Sequence, residues 1–203
     1  MDRKLWVRRR ESTLAELRSH MEAGRVDKDI IPLLNTINSL NYAFTTSSCS
    51  GRIQVYAASE PGEKFDMRTL GKWHSPITLG ELMETLENEA DSIWMAVLPP
   101  ILHIAVCSVK AAFHLLVLLR SAGFKRAGII SASEDGITLE AVGTERMEAP
   151  LRLSGIDIFR EDAIPLIVER ANSLLTRSKG RIRRLEEVLM SETARGLDNL
   201  CWE

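Results

Sequence analysis

The chain has 203 residues, of which 45% are hydrophobic and 27% are charged, a composition typical of a folded soluble protein rather than a disordered one. Its 26 Lys and Arg against 28 Asp and Glu give a formal net charge of −2. The protein therefore lacks the overall cationic field of a general DNA or RNA coat, although this balance leaves room for a nucleic-acid enzyme whose positive charge is local.

The cysteines and the apolar segments indicate the compartment. Three cysteines, Cys49, Cys107 and Cys201, are widely spaced and show no pairing pattern of a disulfide framework, which predicts a reducing cytosol. The basic N-terminus lacks the apolar core of a signal peptide. The most apolar stretch, residues 93–119, is interrupted by prolines, histidines and a lysine, so we expect no membrane span.

The first third of the chain predicts two helices followed by a hairpin. Apolar residues at helical spacing predict a helix over residues 3–23, and Asp27 is a candidate cap for a second helix through Asn35. Two segments rich in β-branched and aromatic residues, 42–47 and 52–57, flank Ser48-Cys49-Ser50-Gly51. This pattern predicts two paired strands joined by a tight turn.

The remainder alternates between strands and helices. Residues 59–77 are polar and rich in glycine and proline, which predicts a long functional loop. The elements predicted after it are a helix from Leu79 capped by Thr78, strands over 92–97 and 101–107, a helix over 109–122, a hairpin of 127–132 with 136–142, an edge segment over 146–153 beside that hairpin, and a long or broken helix over 161–194 with a basic run and a kink at Gly180.

These elements predict a single domain over residues 1–203 with an α+β fold. About seven strands with hairpin-length connections, rather than a βαβ rhythm, indicate one mixed and largely antiparallel sheet packed by helices. Neither GxGxxG, a P-loop, HExxH nor GxSxG occurs in the sequence. Rossmann cofactor binding, NTP hydrolysis, zincin chemistry and serine hydrolysis therefore have no motif to support them.

The densest chemical feature is the segment Thr45-Thr46-Ser47-Ser48-Cys49-Ser50-Gly51-Arg52. Hydroxyl groups, backbone N–H groups and a guanidinium at one turn can hold a phosphate or carboxylate. The alternative is an ordinary serine-rich turn.

Nucleophilic and metal chemistry have weaker support. Cys49 beside Arg52 is a candidate nucleophile for a cysteine-dependent hydrolase, but the four histidines are scattered. His103 and Cys107 share a strand face, yet further metal ligands are missing, so we predict no metal site and interpret the pair as a buried histidine and thiol.

Other candidate residues each have a structural alternative. Trp73, between Lys72 and His74, would stack on a base or a sulfonium while its neighbours contact phosphate, or would simply anchor the loop. Asp27 and Asp29 are helix caps or site carboxylates. The two basic helices, which include Arg10 and Arg181, form solvated faces or a local surface for RNA.

Several of these strings together resemble a known family. Val26-Asp27, Asp29-Ile30-Ile31-Pro32-Leu33, Ile37-Asn38 and the segment from Thr45 to Ile53 are similar to the N-terminal part of the tRNA wybutosine-synthesizing protein 3 family. Downstream, the strings that recur in the same order are Lys72-Trp73-His74, Ile101-Leu102-His103 and the segment from Ala122 to Ile129. The resemblance covers residues 1 to about 190 and departs most at residues 54–60.

The resemblance implies a cytoplasmic enzyme that uses S-adenosyl-L-methionine to methylate a ring nitrogen of a tricyclic wyosine precursor beside the anticodon of phenylalanine tRNA. It also implies a non-Rossmann α+β fold, with neither DNA nor a membrane as partner. Methyl transfer is an in-line displacement that mainly requires positioning.

Site roles follow as hypotheses from the same resemblance. The cofactor residues would be Ser47, Ser48, Cys49, Ser50, Gly51, Arg52, Asp29 and Trp73. His103 and Asp27 would be catalytic, His103 as hydrogen-bond donor or proton acceptor. The tRNA contacts would be Lys72, Trp73, His74, Arg10 and Arg181. The two alternatives are a hydrolase that uses Cys49 and a non-catalytic tRNA-binding module.

Overall fold

A computed structural model of the chain describes residues 2–62, 65–160, 162–193 and 200–201. Within those ranges the chain forms five α-helices and nine β-strands. The helices are α1 (Arg3–Glu22), α2 (Ile31–Ser39), α3 (Leu79–Leu86), α4 (Val109–Ser121) and α5 (Ile164–Thr193). The strands are β1 (Ala43–Cys49), β2 (Arg52–Ala57), β3 (Arg68–Trp73), β4 (Ile93–Leu98), β5 (Ile101–Val106), β6 (Arg126–Ser133), β7 (Gly136–Val142), β8 (Met147–Leu153) and β9 (Ile156–Asp157).

The strands form two antiparallel sheets. The first has the order β1-β5-β7-β6 and the second has the order β3-β2-β4-β8-β9. Every neighbouring pair in both sheets is antiparallel. The α+β class with antiparallel pairing is therefore confirmed, and the strands expected in one sheet are divided between two.

Contacts along the chain group it into two compact units. The first unit comprises residues 1–50, 100–144 and 179–203, and the second comprises residues 51–99 and 145–178. Neither unit is a continuous stretch of sequence, so no linker separates them along the chain. The expectation of a single domain over 1–203 stays a prediction.

The first unit contains the first sheet with α1, α2, α4 and the second half of α5. Asp2 caps α1 by accepting hydrogen bonds from the backbone N–H groups of Lys4 and Leu5. The buried ring of Trp6 lies 4.9 Å from that of Phe44. Leu102 and Ile104 of β5 are fully buried in the same core, so the alternation of the strand places His103 on the other face of the sheet.

The second unit contains the second sheet, α3 and the first half of α5. Thr78 and Glu81 form a capping box at the start of α3, as the sequence predicts for the cap. Asn172 of α5 holds the chain before α3, because its side chain exchanges two hydrogen bonds of 2.8 Å with the backbone of Ile77. Leu82, Leu175 and the inward residues of β2 and β4 form the core.

Three predictions about strands are wrong. Residues 42–47 and 52–57 do not form a hairpin, because β1 pairs with β5 while β2 pairs with β3 and β4. The expected loop over 59–77 contains β3, which pairs with β2. The segment 146–153 lies beside β4 rather than beside the β6–β7 hairpin. The partners of β1 and β8 are distant in sequence, so local composition carries no information about them. Strand β3 instead follows β2 directly along the chain, and its polar, glycine-containing sequence conceals it.

Two predictions about helices also change. Asp27 does not cap α2, whose N-cap is Ile30 without a side-chain hydrogen bond. Asp27 instead binds Ser50, as described below. The long C-terminal helix is confirmed as the continuous α5, and the ends of the predicted range, Glu161 and Ala194, lie outside the described residues.

The expectation of unpaired cysteines is wrong. Cys107 and Cys201 form a disulfide across a sequence separation of 94 residues. A framework of closely spaced cysteines is recognisable in sequence, but a single long-range bridge is not. None of the helices in the described ranges has the length and apolar character needed to cross a bilayer.

Candidate functional site

The C-terminal end of β1 is held by a polar cluster within the first unit, which we call the β1 cluster: Asp27, Asp29, Ser50 and Lys179. The Asp27 carboxylate accepts hydrogen bonds from the backbone N–H of Ser50 at 3.0 Å and from its hydroxyl at 2.9 Å. The Lys179 ammonium donates to Ser50 Oγ at 2.6 Å and forms an ion pair with Asp29. Ser50 is fully buried, so these contacts fix the end of the strand.

The β1 cluster contains two acidic groups and one basic group. The carboxylates are those of Asp27 and Asp29, and the ammonium is that of Lys179. Asp29 remains partly exposed, with 41% of its side chain accessible. A carboxylate that is accessible from solvent can attract a cationic ligand group.

The neighbouring residues of β1 differ in how their side chains are satisfied. Thr45 donates its backbone N–H to Asn38 at 2.8 Å, which ties β1 to α2. Ser48 Oγ, by contrast, is buried and has no hydrogen-bond partner within the described part of the chain. Burying an unsatisfied hydroxyl costs about 1–3 kcal/mol, so a bound ligand that satisfies Ser48 would recover this free energy. Cys49 is partly buried and lies outside the disulfide.

His103 lies in a second polar arrangement of the same sheet. Its Nδ1 is 2.6 Å from Ser47 Oγ and its Nε2 is 3.0 Å from Glu140 Oε2. The His103 side chain is 28% exposed and that of Glu140 is 40% exposed. His103 is thus neither a buried core histidine nor paired with Cys107, which is in the disulfide.

The two arginines predicted to contact tRNA hold backbone carbonyls of the first unit. Arg10 donates to the carbonyl oxygen of Asn38 at 2.7 Å, at the end of α2. Arg181 donates to the carbonyl of Gly123, at the end of α4, and to Thr144 Oγ1 at 3.0 Å. Both guanidinium groups therefore help to hold the fold, and their predicted role in binding tRNA stays a prediction.

The other predicted residues lie in the second unit. Gly51 adopts φ +86°, which favours glycine because this region is strained for other residues. Arg52 Nε donates to Gln54 Oε1 at 3.1 Å. His74 Nδ1 lies 3.1 Å from the carbonyl oxygen of Gly51, and Lys72 is exposed on β3.

Trp73 is half-buried and packs on the core of the second unit. Hydrogen bonds from the Thr78 backbone, the Thr78 side chain and Trp73 hold the pKa of the Glu81 carboxyl below its usual value. These contacts match the interpretation of Trp73 as an anchor of its segment, and its stacking on a base or a cofactor stays a prediction.

The position of the Trp73 ring beside Gly71 leads to a prediction about stability. A Cβ added to Gly71 would lie 1.9 Å from the indole ring of Trp73. We therefore expect Gly71→Ala to lower the free energy of unfolding by about 1–3 kcal/mol, because the ring must leave its packed position. Chemical denaturation followed by tryptophan fluorescence measures this loss.

Gly128→Ala is the matched control, since Gly128 also lies in a strand but a Cβ there meets nothing within 4 Å. We expect this control to stay within about 1 kcal/mol of the parent protein. Equal losses in the two variants would contradict the packing of Trp73 over Gly71.

The sequence interpretation missed two residues that contact the predicted ones. Glu140 binds His103, and Lys179 binds both Ser50 and Asp29. A usable signal for Glu140 was a single carboxylate inside the otherwise uncharged strand β7. Lys179 lies in the basic run of the predicted C-terminal helix, and its long-range contact with β1 has no local signature.

Comparison with known proteins shows which family the chain resembles. Residues 8–191 match the family model described as Methyltransferase TYW3. A Thermococcus kodakarensis protein is 41% identical over 179 residues, which is 88% of this chain and 90% of that protein. A Thermococcus sibiricus protein is 39% identical over 179 residues, or 88% of this chain and 91% of that protein. Both relatives are named tRNA(Phe) 7-((3-amino-3-carboxypropyl)-4-demethylwyosine(37)-N(4))-methyltransferase, the first with the suffix 1.

Solved structures give the same picture of the fold. The PH1069 protein from Pyrococcus horikoshii aligns with a TM-score of 0.88 and 37% identity, covering 92% of this chain and 96% of its own. A hypothetical protein from Aeropyrum pernix aligns with a TM-score of 0.73 and 32% identity, covering 81% of this chain and 98% of its own.

Proposed function

Because this chain belongs to the family described as Methyltransferase TYW3, we propose that it methylates the N4 ring nitrogen of a 4-demethylwyosine derivative in tRNA(Phe), with S-adenosyl-L-methionine as donor. The observation that carries the proposal is the family match over residues 8–191, together with relatives named for this N4 methylation that align over 88% of the chain. As a tRNA-modifying enzyme it would act in the cytoplasm. Neither relative is named as a hydrolase or as a binding module, so the proposal leaves both alternatives aside.

The β1 cluster fits a sulfonium donor in two respects. Its two carboxylates, those of Asp27 and Asp29, would attract the cationic sulfur. The buried hydroxyl of Ser48, which lacks a partner in the described residues, can bond a polar group of a ligand. We assign Asp27, Asp29 and Ser48 to hold the cofactor, which supplies an electrophilic methyl group when bound.

The role of the protein in such a reaction is positioning. Asp27 and Lys179 both bind Ser50, which fixes the strand that carries Ser47 and Ser48. A fixed strand holds the reacting groups in line and shields them from water, and effective positioning accounts for much of the rate of a displacement. Lys72, exposed on β3, is available to contact tRNA phosphate.

Asp27→Asn tests the charge complementarity. The asparagine oxygen can still accept hydrogen bonds from Ser50, but the negative charge is gone. We expect the affinity for S-adenosyl-L-methionine to fall roughly threefold to tenfold, from the loss of about 1 kcal/mol of charge attraction. The affinity for S-adenosyl-L-homocysteine, whose sulfur is neutral, should change less than twofold, within about 0.4 kcal/mol. Titration calorimetry with each compound measures the difference.

Asp91→Asn, at an exposed aspartate of the second unit, is the control and should bind both compounds like the parent protein. Equal weakening of the two compounds by Asp27→Asn would contradict the assignment of Asp27 to the sulfonium. Absence of any heat of binding with either compound in the parent protein would contradict the choice of cofactor.

A further inference from the structure

Three polar residues lie directly opposite one another across three neighbouring strands of the first sheet. Ser47 of β1 pairs in register with His103 of β5, and His103 pairs in register with Glu140 of β7. Residues directly opposite one another in antiparallel strands project from the same face of a sheet. The contacts of 2.6 Å and 3.0 Å on the two nitrogens of His103 follow from this register.

An irregularity in β1 creates the row. Thr45 pairs with Ile104, but the next registered pair is Ser47 with His103, so Thr46 is an additional residue between them. Without this bulge, Thr46 would stand opposite His103 and Ser47 would shift along the strand. Bulges occur next to functional sites because they change the direction of a side chain.

The two hydrogen bonds of His103 favour one tautomer of its neutral ring. A carboxylate can only accept, so Glu140 requires that Nε2 carries the hydrogen. In the neutral ring Nδ1 is then the acceptor, and the Ser47 hydroxyl donates to it. Ser47 is exposed, so the second lone pair of its oxygen is open to an incoming N–H group.

The proposed reaction requires that the proton on N4 of the base be removed. A 4-demethyl base carries hydrogen on N4, and methylation replaces that hydrogen by carbon. A new N–C bond forms, the S–C bond of the sulfonium donor breaks, and the electron pair of that bond stays on the sulfur, which becomes a neutral thioether. The proton of N4 must pass to an acceptor.

We propose that Ser47 and His103 accept this proton and that Glu140 is the positioning residue of the pair, an inference that rests on the proposed function. The N4 proton passes to Ser47 Oγ while the Ser47 proton passes to His103 Nδ1. The resulting imidazolium donates hydrogen bonds to Ser47 and to the Glu140 carboxylate, which offsets its charge. Glu140 touches neither the base nor the cofactor in this step and acts only through the ring it orients.

The orientation is testable without substrate or cofactor. In protein labelled with ¹⁵N, the ring nitrogen shifts of His103, assigned by comparison with His103→Gln, should show the Nε2–H tautomer. In Glu140→Ala the acceptor for Nε2–H is lost, so we expect the Nδ1–H tautomer to appear, donating to Ser47 Oγ. An unchanged tautomer in Glu140→Ala would overturn the positioning role.

Kinetics tests the proton transfer. We expect Glu140→Ala to lower kcat about 10-fold to 100-fold, with the Kd for S-adenosyl-L-methionine and the melting temperature unchanged. Glu140→Gln keeps an acceptor oxygen without the charge, so its kcat should fall between those of Glu140→Ala and the parent protein. Ser47→Ala should lower kcat by a similar factor while His103 keeps the Nε2–H tautomer.

Glu134→Gln, at an exposed glutamate on the turn between β6 and β7, is the control and should have parental kcat. If the tautomer shifts in Glu140→Ala but kcat stays at the parental value, Glu140 orients His103. The proposal that His103 accepts the proton is then overturned. If the parent protein binds no S-adenosyl-L-methionine and transfers no methyl group, the proposed function itself fails, whereas the tautomer measurement still decides the positioning role of Glu140.

Discussion

Replacing Cys107 and Cys201 together by serine is expected to lower the free energy of unfolding by about 4 kcal/mol. The bridge closes a loop defined by a separation of 94 residues, and closing a long loop removes conformational entropy mainly from the unfolded chain. For a chain of this size, that loss corresponds to a fall in melting temperature of roughly 10–15 °C. Differential scanning calorimetry of the parent protein and the double variant measures it.

A hydrogen bond lies directly beside the bridge. Ser108, the N-cap of α4, donates its hydroxyl to the carbonyl of Leu200 at 2.6 Å, next to Cys201. We therefore expect a reductant to lower the melting temperature of the parent protein as far as the double substitution does. Cys49→Ser is the control and should keep the full sensitivity to reductant. A parent protein whose melting temperature is the same with and without reductant would contradict a stabilising bridge.

Lys179→Met should produce the second large loss, about 2 kcal/mol in the free energy of unfolding. The substitution leaves the Asp29 carboxylate without its cation and removes the donor that holds the buried Ser50 hydroxyl. Asp29 is 41% exposed, so water stabilises part of its charge and the loss stays below that of a fully buried ion pair. Denaturant unfolding monitored by circular dichroism gives the value.

Arg183→Met provides the matched comparison, because Arg183 is an exposed cation on the same helix. Its effect should be within about 0.5 kcal/mol of zero. Lys179→Arg keeps the positive charge and should recover part of the loss. If Lys179→Met and Arg183→Met unfold at the same denaturant concentration, the β1 cluster does not stabilise the end of β1.

The bounds of the strands are easier to predict from sequence than the partners with which the strands pair. Strands β1 and β2 begin and end within two residues of the segments expected from composition, yet their expected pairing is wrong. The side-chain period of a strand reports which faces are buried but not which strand lies alongside. Gly51 at φ +86° lies where the chain leaves β1 before entering β2, and glycines with positive φ also occur in hairpin turns.

The residues of the site likewise divide into those that the sequence identifies and those that only the structure shows. The hydroxyl-rich segment, Asp27 and His103 were identified from residue type, and the structure gives each of Asp27, Ser47, Ser50 and His103 a specific polar partner. The sequence does not identify Glu140 or Lys179 as site residues. Glu140 contacts His103 through the register of neighbouring strands, and Lys179 contacts Ser50 from a helix that is distant in sequence. A lone carboxylate in an apolar strand is the one signal that sequence alone offered for Glu140.

The central claim, methylation of a wyosine precursor, is tested most directly by transfer of a labelled methyl group. The purified protein is incubated with S-adenosyl-L-methionine carrying a labelled methyl and with tRNA(Phe) that bears the 4-demethyl precursor, and the tRNA is then digested to nucleosides. We predict that the label appears in the N4-methylated nucleoside and that tRNA(Phe) lacking the precursor stays unlabelled. Incorporation into neither tRNA, under conditions in which a relative from Thermococcus kodakarensis labels the precursor, would contradict the assigned reaction.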